Sequence, residues 1–332
     1  MAPTEFPAFP NLVPDLPSHK EIESRLAEGG SAVPPVVRRA VADCLTGEIS
    51  PNVALARLLL ETGRVEPVEA ALAVAAERWG EPLPAGFAEL IAMVRDNREG
   101  CERAADLLRE HPAPEPVADV EETIDSNRRF FDAAVRAHEE VSVAAYALGN
   151  PALLAAATQE IVDLFERWGL LGPERTALEI GCGIGRMQAG LSPYVGQVHG
   201  IDISPGMIAA ARRRCAGLGN VHLAVSSGED LSPFPSGSLD LVFAVDSFPY
   251  IHQAGPALVE AYFDEVDRVL RPGGDFVLLN YSYRDALAAD REEVEALCEE
   301  TGFVLEVQGI EPFTVWDGIV FLCRKPGSAR QG

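Results

Sequence analysis

Two rhythms divide the chain. Between residues 19 and 112, Ala, Leu and Val recur every three or four positions, the spacing that lines up one face of a helix. It predicts helices over 21–28, 35–45, 51–62, 65–79, 86–96 and 98–110. Pro or Gly stands at nearly every junction, where helices start and stop. Two longer helices are expected over 120–141 and 151–168, the second opened by Pro151. After Pro173 the pattern changes to short apolar runs alternating with helical stretches. Strands are expected over 176–180, 197–203, 221–226, 239–245 and 275–281, and helices over 188–194, 205–218, 256–270 and 291–301. Residues 303–309 and 318–324 read as a last strand pair joined by a turn. The run at 239–245 is almost wholly apolar, as in a strand buried on both faces. Such alternation builds a mostly parallel sheet, wound right-handed and covered on both faces by helices.

The breaks between these patterns suggest the organisation. Residues 1–18 hold five prolines and read as an arm. Residues 19–112 form a helical domain, a packing or dimerisation element. The proline-rich stretch from His111 to Val117 marks the linker, placed at 113–118. Residues 119–172 form a helical cap segment, and 173–332 the α/β domain. Repeat-like helix pairs are present without a repeated consensus.

Charge and cysteine usage narrow the function classes. The net charge is −24, and both halves of the chain are acidic. Neither offers the basic face that a phosphate backbone requires, which argues against nucleic acid. The six cysteines form no CxxC pair and have no histidine cluster nearby. That argues against a zinc site or a disulfide framework, and for a reducing compartment. The N-terminus lacks the basic and apolar regions of a signal peptide, and no apolar run suits a membrane span. The expectation is a cytoplasmic protein with no metal and no membrane contact.

The chemistry centres on residues 176–186. A short apolar strand ends in Glu179 and Ile180, and glycines follow at 181, 183 and 185. Glycines there let the backbone turn sharply and approach a ligand closely. A helix then begins, with free N–H groups at its start. A nicotinamide loop would have a glycine where Arg186 stands. Glu179 would also repel a pyrophosphate, but it suits a cofactor with a cationic amino-acid end. Asp202, about 20 residues beyond the glycines, is spaced to hold a ribose. Ser227, Gly228, Glu229 and Asp230 follow the third strand within range of an adenine. Residues 246–250 follow the fourth, facing the reactive end.

These stretches resemble the successive motifs of class I S-adenosylmethionine-dependent methyltransferases. The resemblance rests on residues 178–185, on 200–204 with Met207, on 239–243 and on 268–274, and covers about residues 150–325. It implies a Rossmann-like, seven-stranded α/β sheet with an antiparallel final strand. It also implies S-adenosyl-L-methionine as cofactor and S-adenosylhomocysteine as product. Glu179, Gly181, Cys182, Gly183 and Gly185 would wrap the methionine part, Cys182 as a small residue in a tight loop. Asp202 would hold the ribose, and Ile203 would pack on the adenine with Met207 and Val245 nearby. Backbone groups of Gly228 and Glu229 would reach the ring. Ser227 stands where an acid often meets the adenine amino group, so Glu229 or Asp230 could serve instead. Helices before the core would fold over the cofactor, bringing Phe130, Phe131 and Tyr146 to it or to the substrate.

Methyl transfer needs alignment and exclusion of water. A hydroxyl or amine acceptor also needs a base. His252 and Asp246 are the candidate bases. Tyr250 stands with them as a candidate catalytic residue, and Tyr281 and Tyr283 are expected to line an acceptor pocket. The expected substrate is a small molecule methylated on O, N or S, and a homodimer is plausible. The alternative is a protein-directed enzyme, or a partner-binding protein whose helical domain recruits that partner.

Overall fold

The computed structural model describes residues 17–28, 33–110, 119–284 and 286–327. Residues 1–16 of the expected arm at 1–18, and the linker at 113–118, lie outside the described residues. Six helices open the chain: α1 (His19–Ala27), α2 (Pro35–Thr46), α3 (Pro51–Thr62), α4 (Val65–Trp79), α5 (Ala85–Asp96) and α6 (Arg98–Glu110). Then come α7 (Val120–Ala137) and α8 (Pro151–Arg167). The α/β region runs β1 (Gly172–Ile180), α9 (Arg186–Leu191), β2 (Val195–Asp202), α10 (Pro205–Arg214), β3 (Val221–Val225) and β4 (Leu239–Val245). It continues α11 (Phe248–Gln253), α12 (Pro256–Val269), β5 (Leu270–Leu279), α13 (Leu287–Thr301), β6 (Val304–Ile310) and β7 (Val320–Arg324).

The seven strands form one sheet in the order β3-β2-β1-β4-β5-β7-β6. β7 is antiparallel to both neighbours, and the other pairings are parallel. The chain reverses direction of travel across the sheet between β1 and β4. Their carboxyl ends therefore leave a crevice, the usual place for a ligand in such sheets. Alternate residues feed opposite faces. Ala177 and Phe243 join the core with Phe165, Leu191 and Leu279, while Leu178 and Val242 join Phe263, Phe276 and Cys323.

The six opening helices share a core built on Ile22, Val41, Leu55, Leu58, Leu72, Phe87 and Leu90. That core interlocks with the rest of the chain. Val53 of α3 packs with the sheet's core, while Ala134, Val141 and Leu148 pack with the helices. Asn52 Nδ2 donates to the carbonyls of Tyr146, at 3.0 Å, and Val315, at 2.8 Å. Arg57 meets Asp317 at 2.8 Å. Asn52 is 3% exposed, so replacing it strands two buried carbonyls, at about 1–3 kcal/mol each.

Two expectations change. The helix expected over 120–141 stops at Ala137, where His138 turns extended. Residues 138–149 are turns with a short 3-10 stretch at Ala145–Ala147. Ser142 donates to the Glu139 carbonyl, a local bond that competes with helix continuation. Leu148 then takes a left-handed conformation. The second change is α11, which was not anticipated because its six residues show no helical period.

Candidate functional site

The crevice opens into a cavity of about 450 Å³, within the range for small-molecule sites. Its floor is the glycine loop. Gly181, Gly183 and Gly185 all have positive φ, between 51° and 77°. A Cβ on Gly181 would stand 2.2 Å from Ser247 Cβ, and one on Gly183 would stand 2.7 Å from Val143. Any larger residue would therefore both strain the backbone and close the cradle.

Three carboxylates surround this floor. Glu179, 3% exposed at the end of β1, accepts from Gln188 Nε2 at 2.7 Å. Asp202, at the end of β2, accepts from the backbone N–H of Gly183 at 2.9 Å and of Ser204 at 2.8 Å. Those bonds fix both its oxygens beside the loop. Asp246 and Asn280 stand after β4 and β5 with φ of 56° and 65°. This left-handed conformation is uncommon outside glycine, and such strain collects at functional sites. Asn280 Nδ2 donates to Asp246 Oδ1 at 2.7 Å, and Asn280 Oδ1 accepts from the Ile319 N–H at 2.8 Å. Tyr283 donates its hydroxyl to the same Asp246 oxygen at 3.0 Å. Asp246 Oδ2 accepts no hydrogen bond from the described residues and is free to face the cavity.

Burial raises all three acids, because it disfavours the charged form. Glu179 is pushed to about 8, against the bonding of Gln188 and the charge of Arg186. Asp202 is pushed to about 6. Asp246 is also pushed to about 6, despite Asn280, Arg186 and Tyr283. Arg186, 8% exposed, donates to Thr158 Oγ1 at 3.3 Å. Among the described residues no carboxylate lies within salt-bridge distance of it. The Tyr146 hydroxyl lies near Arg186, and neither it nor Asn127 Oδ1 finds a hydrogen-bond partner. The cavity thus gathers three carboxyl groups whose protons burial retains, with Arg186 the cation among its buried lining.

Most residues singled out from sequence meet here. Glu179, Gly181, Cys182, Gly183, Asp202, Ile203, Met207, Gly228 and Val245 line the cavity, as do Phe130, Phe131, Tyr146, Asp246, Tyr250 and Tyr283. Six do not line it, among them Asp230, whose carboxylate accepts from the Ser232 N–H. Gly185 caps α9 and packs behind the loop on Ala211 and Cys215. Ser227 accepts from the Glu229 N–H within a local turn, and Ser226 lines the cavity instead. Glu229 lies outward of that turn. Tyr281 is 1% exposed, stacked on Phe248 in the core. His252 packs edge-on to Tyr281 and faces Glu293 at 3.6 Å.

Sequence reasoning missed Arg186, Asn127, Asn280, Trp316 and Asp317, which also line the cavity. Arg186 had been considered only as a non-glycine, and nothing local marked the others. Away from the cavity, His19, Asp43 and Glu48 bring possible ligand atoms within 4.8 Å of one another. Among the described residues no helix is long and apolar enough to cross a membrane.

Comparison with known proteins places residues 178–278 in the family described as "Methyltransferase domain". Over 130 residues the chain is 32% identical to the 2-methyl-6-phytyl-1,4-hydroquinone methyltransferase of Synechocystis, covering 38% of this chain and 39% of that protein. Over 95 residues it is 41% identical to the aklanonic acid methyltransferase DauC of Streptomyces, covering 27% and 42%. The chain spans about two fifths of the length of these curated relatives. A solved SAM-dependent methyltransferase from Aquifex aeolicus aligns at 23% identity, with a TM-score of 0.40, over 53% of this chain and 92% of that one.

Proposed function

We propose that this chain, which carries a class I S-adenosyl-L-methionine-dependent methyltransferase domain, methylates a small molecule in the cavity above its glycine loop. The observation that carries the reading is the group of three carboxyls. Buried Glu179 and Asp202 and half-buried Asp246 surround the glycine loop with their carboxyl values raised. A cofactor bearing a sulfonium and an ammonium supplies positive charge there, so the residues present fit S-adenosyl-L-methionine. When bound, it supplies a methyl group on positively charged sulfur and leaves as the neutral thioether S-adenosylhomocysteine.

The chain's own groups divide the work. Gly181 and Gly183 admit the backbone close to the methionine part, with Glu179 behind them. Asp202, fixed by two backbone N–H groups, has lone pairs left for the ribose hydroxyls. Ile203 and Gly228 stand where an adenine would lie flat. Asp246 takes the proton of the acceptor through its free Oδ2. A value near 6 suits a base at neutral pH. Asn280 and Tyr283 hold its other oxygen, so the free one stays aimed. Phe130 and Phe131 of α7, with the 138–149 segment, cover the site and exclude water. The curated relatives are named for 2-methyl-6-phytyl-1,4-hydroquinone and aklanonic acid, which supports a small organic acceptor.

Calorimetric titration of the whole chain tests this. S-adenosylhomocysteine is expected to bind one per chain, and S-adenosyl-L-methionine to bind with release of protons from the raised acids. No heat from either would sink the reading.

A further inference from the structure

The helical region has a direct part in this cavity through one face of α3. Val53, Ala56, Arg57 and Leu60 all line it, at the i, i+3, i+4, i+7 spacing of a single helical stripe. The opposite face is committed elsewhere: Ala54, Leu55, Leu58 and Leu59 are wholly buried in the helical core. Leu60 is 65% exposed, the exception among the leucines of α3, and it stands at the cavity.

Topology says which ligand α3 meets. Asp202 and Gly228, which suit the cofactor, follow β2 and β3. The bonds that seat α3 go to Val315 and Asp317, in the loop before β7, and to Tyr146. In the order β3-β2-β1-β4-β5-β7-β6 these lie on opposite sides of the switch point, with Asp246 between them. A row of aromatic rings crosses the cavity from α7, which bonds the start of α10 through Asp132, to the turn after β5. Phe130, Phe131, Tyr250 and Tyr283 form a chain of edge-to-face rings with centroids 5.0, 4.9 and 6.0 Å apart. Trp316 and Leu107 also contribute to the lining. The charges on α3's side, Arg57 and Asp317, neutralise each other. The polar features that this wall leaves for a substrate are Asp246 Oδ2 and, near Arg186, the unpaired Tyr146 hydroxyl.

We propose that α3 is the acceptor-recognition wall, and that the acceptor is a hydroxyarene. Its flat apolar body lies between α3 and the ring chain, and its hydroxyl meets Asp246 Oδ2. The inference rests on the methyltransferase reading. It assigns the helical region a substrate-binding role that its fold alone does not reveal. A ring system gains from edge and face contact with the aromatic side chains.

The test uses the full chain and naphthol as a hydroxyarene probe, titrated with and without S-adenosylhomocysteine and followed by tryptophan fluorescence. Wild type is expected to bind naphthol saturably. Ala56→Phe fills the space and Leu60→Glu puts a charge at its mouth, at an exposed position that folding tolerates. Each is expected to weaken naphthol by about tenfold or more, equivalent to about 1.4 kcal/mol, and to leave S-adenosylhomocysteine affinity within about twofold. Naphthol that fails to bind wild type overturns the hydroxyarene class. Naphthol affinity unchanged in both variants overturns the role of α3. Equal loss of both ligands overturns the separation of the two ends. Failure of wild type to bind S-adenosylhomocysteine sinks the methyltransferase reading instead, and the naphthol arm without it still reports on α3.

Discussion

The end of the cavity at β1, β2 and β3 and the end at β5 and β7 are assembled from different kinds of sequence. The first is built from contiguous pieces. Glycines at fixed spacing, an acid at a strand end and a turn after the next strand together shape it. Much of its surface is backbone, held by bonds such as Gly183 N–H to Asp202. The second end draws single side chains from distant places. Asn52 bonds a carbonyl 263 positions away, and Arg57 finds Asp317 across a similar span. A backbone-built end is intolerant of any side chain, whereas a side-chain-built end can be repacked residue by residue. That difference ranks the consequences of substitution.

The largest effect is expected at the backbone-built end. Gly181→Val would put a Cβ 2.2 Å from Ser247 Cβ at a φ of 72°. Left-handed backbone alone costs a non-glycine residue roughly 1–2 kcal/mol, and overpacking adds about 1–3 kcal/mol. Calorimetry with S-adenosylhomocysteine should show no binding, and thermal unfolding should show a lower midpoint. Retained affinity would mean that the loop is not the cofactor's floor.

Next in size is Asp246→Asn, where the two ends meet. Asn keeps the shape but cannot take a proton. Turnover of a hydroxyl acceptor should fall by about 10²–10⁴, the worth of a general base, while cofactor affinity stays within a few fold. The pH profile should lose the limb that rises through about 6 in the parent. A variant that keeps that limb would assign the base elsewhere.

The same contrast explains what could be read from the chain beforehand. The helices Pro51–Thr62, Val65–Trp79 and Arg98–Glu110 have the bounds their apolar spacing predicts, because Pro and Gly punctuate them. The mostly parallel sheet follows from alternation, and the glycine loop from composition and position. Residues 138–141 carry the helical spacing of the stretch before them and so read as the end of its helix. Tertiary packing of Val141 and Val143 decided otherwise. Arg186 and Asn280 left no periodic or motif signal, since their importance comes from a fold that brings strand ends together. His252 lay two residues from Tyr250 in sequence, but α11 turns it toward Glu293.

A smaller effect concerns pH. The folded chain raises Glu179 to about 8 and Asp202 and Asp246 to about 6, above their usual values. The folded state therefore binds more protons than the unfolded state between about pH 4 and 8. Stability falls as pH rises through that window. The ligand-free chain should lose a few degrees of unfolding temperature from about pH 5 to 8, roughly the shift that 1 kcal/mol or more brings. Glu179→Gln should flatten the upper part of that decline, and saturating S-adenosyl-L-methionine should flatten it in the parent. An unchanged slope in Glu179→Gln would show that Glu179 is already ionised in the empty site.

His252→Ala should do least, although its place just past β4 made it a candidate base from sequence. Its ring stands against Tyr281 with a centroid distance of 5.2 Å, on the core side of α11. Its partner Glu293 is already bound by Arg284, so the pair adds little, about 0–1 kcal/mol for a partly exposed contact. Reaching an acceptor beside Asp246 Oδ2 would require the ring to leave that packing. Turnover of His252→Ala is expected within about threefold of the parent, with KM for the acceptor unchanged and only a small loss of unfolding temperature. The comparison with Asp246→Asn is then decisive on a single ratio. If removing the imidazole costs as much turnover as neutralising the carboxylate, the proton leaves through α11, and the side-chain-built end of the cavity extends beyond the wall described by α3 and the aromatic rings.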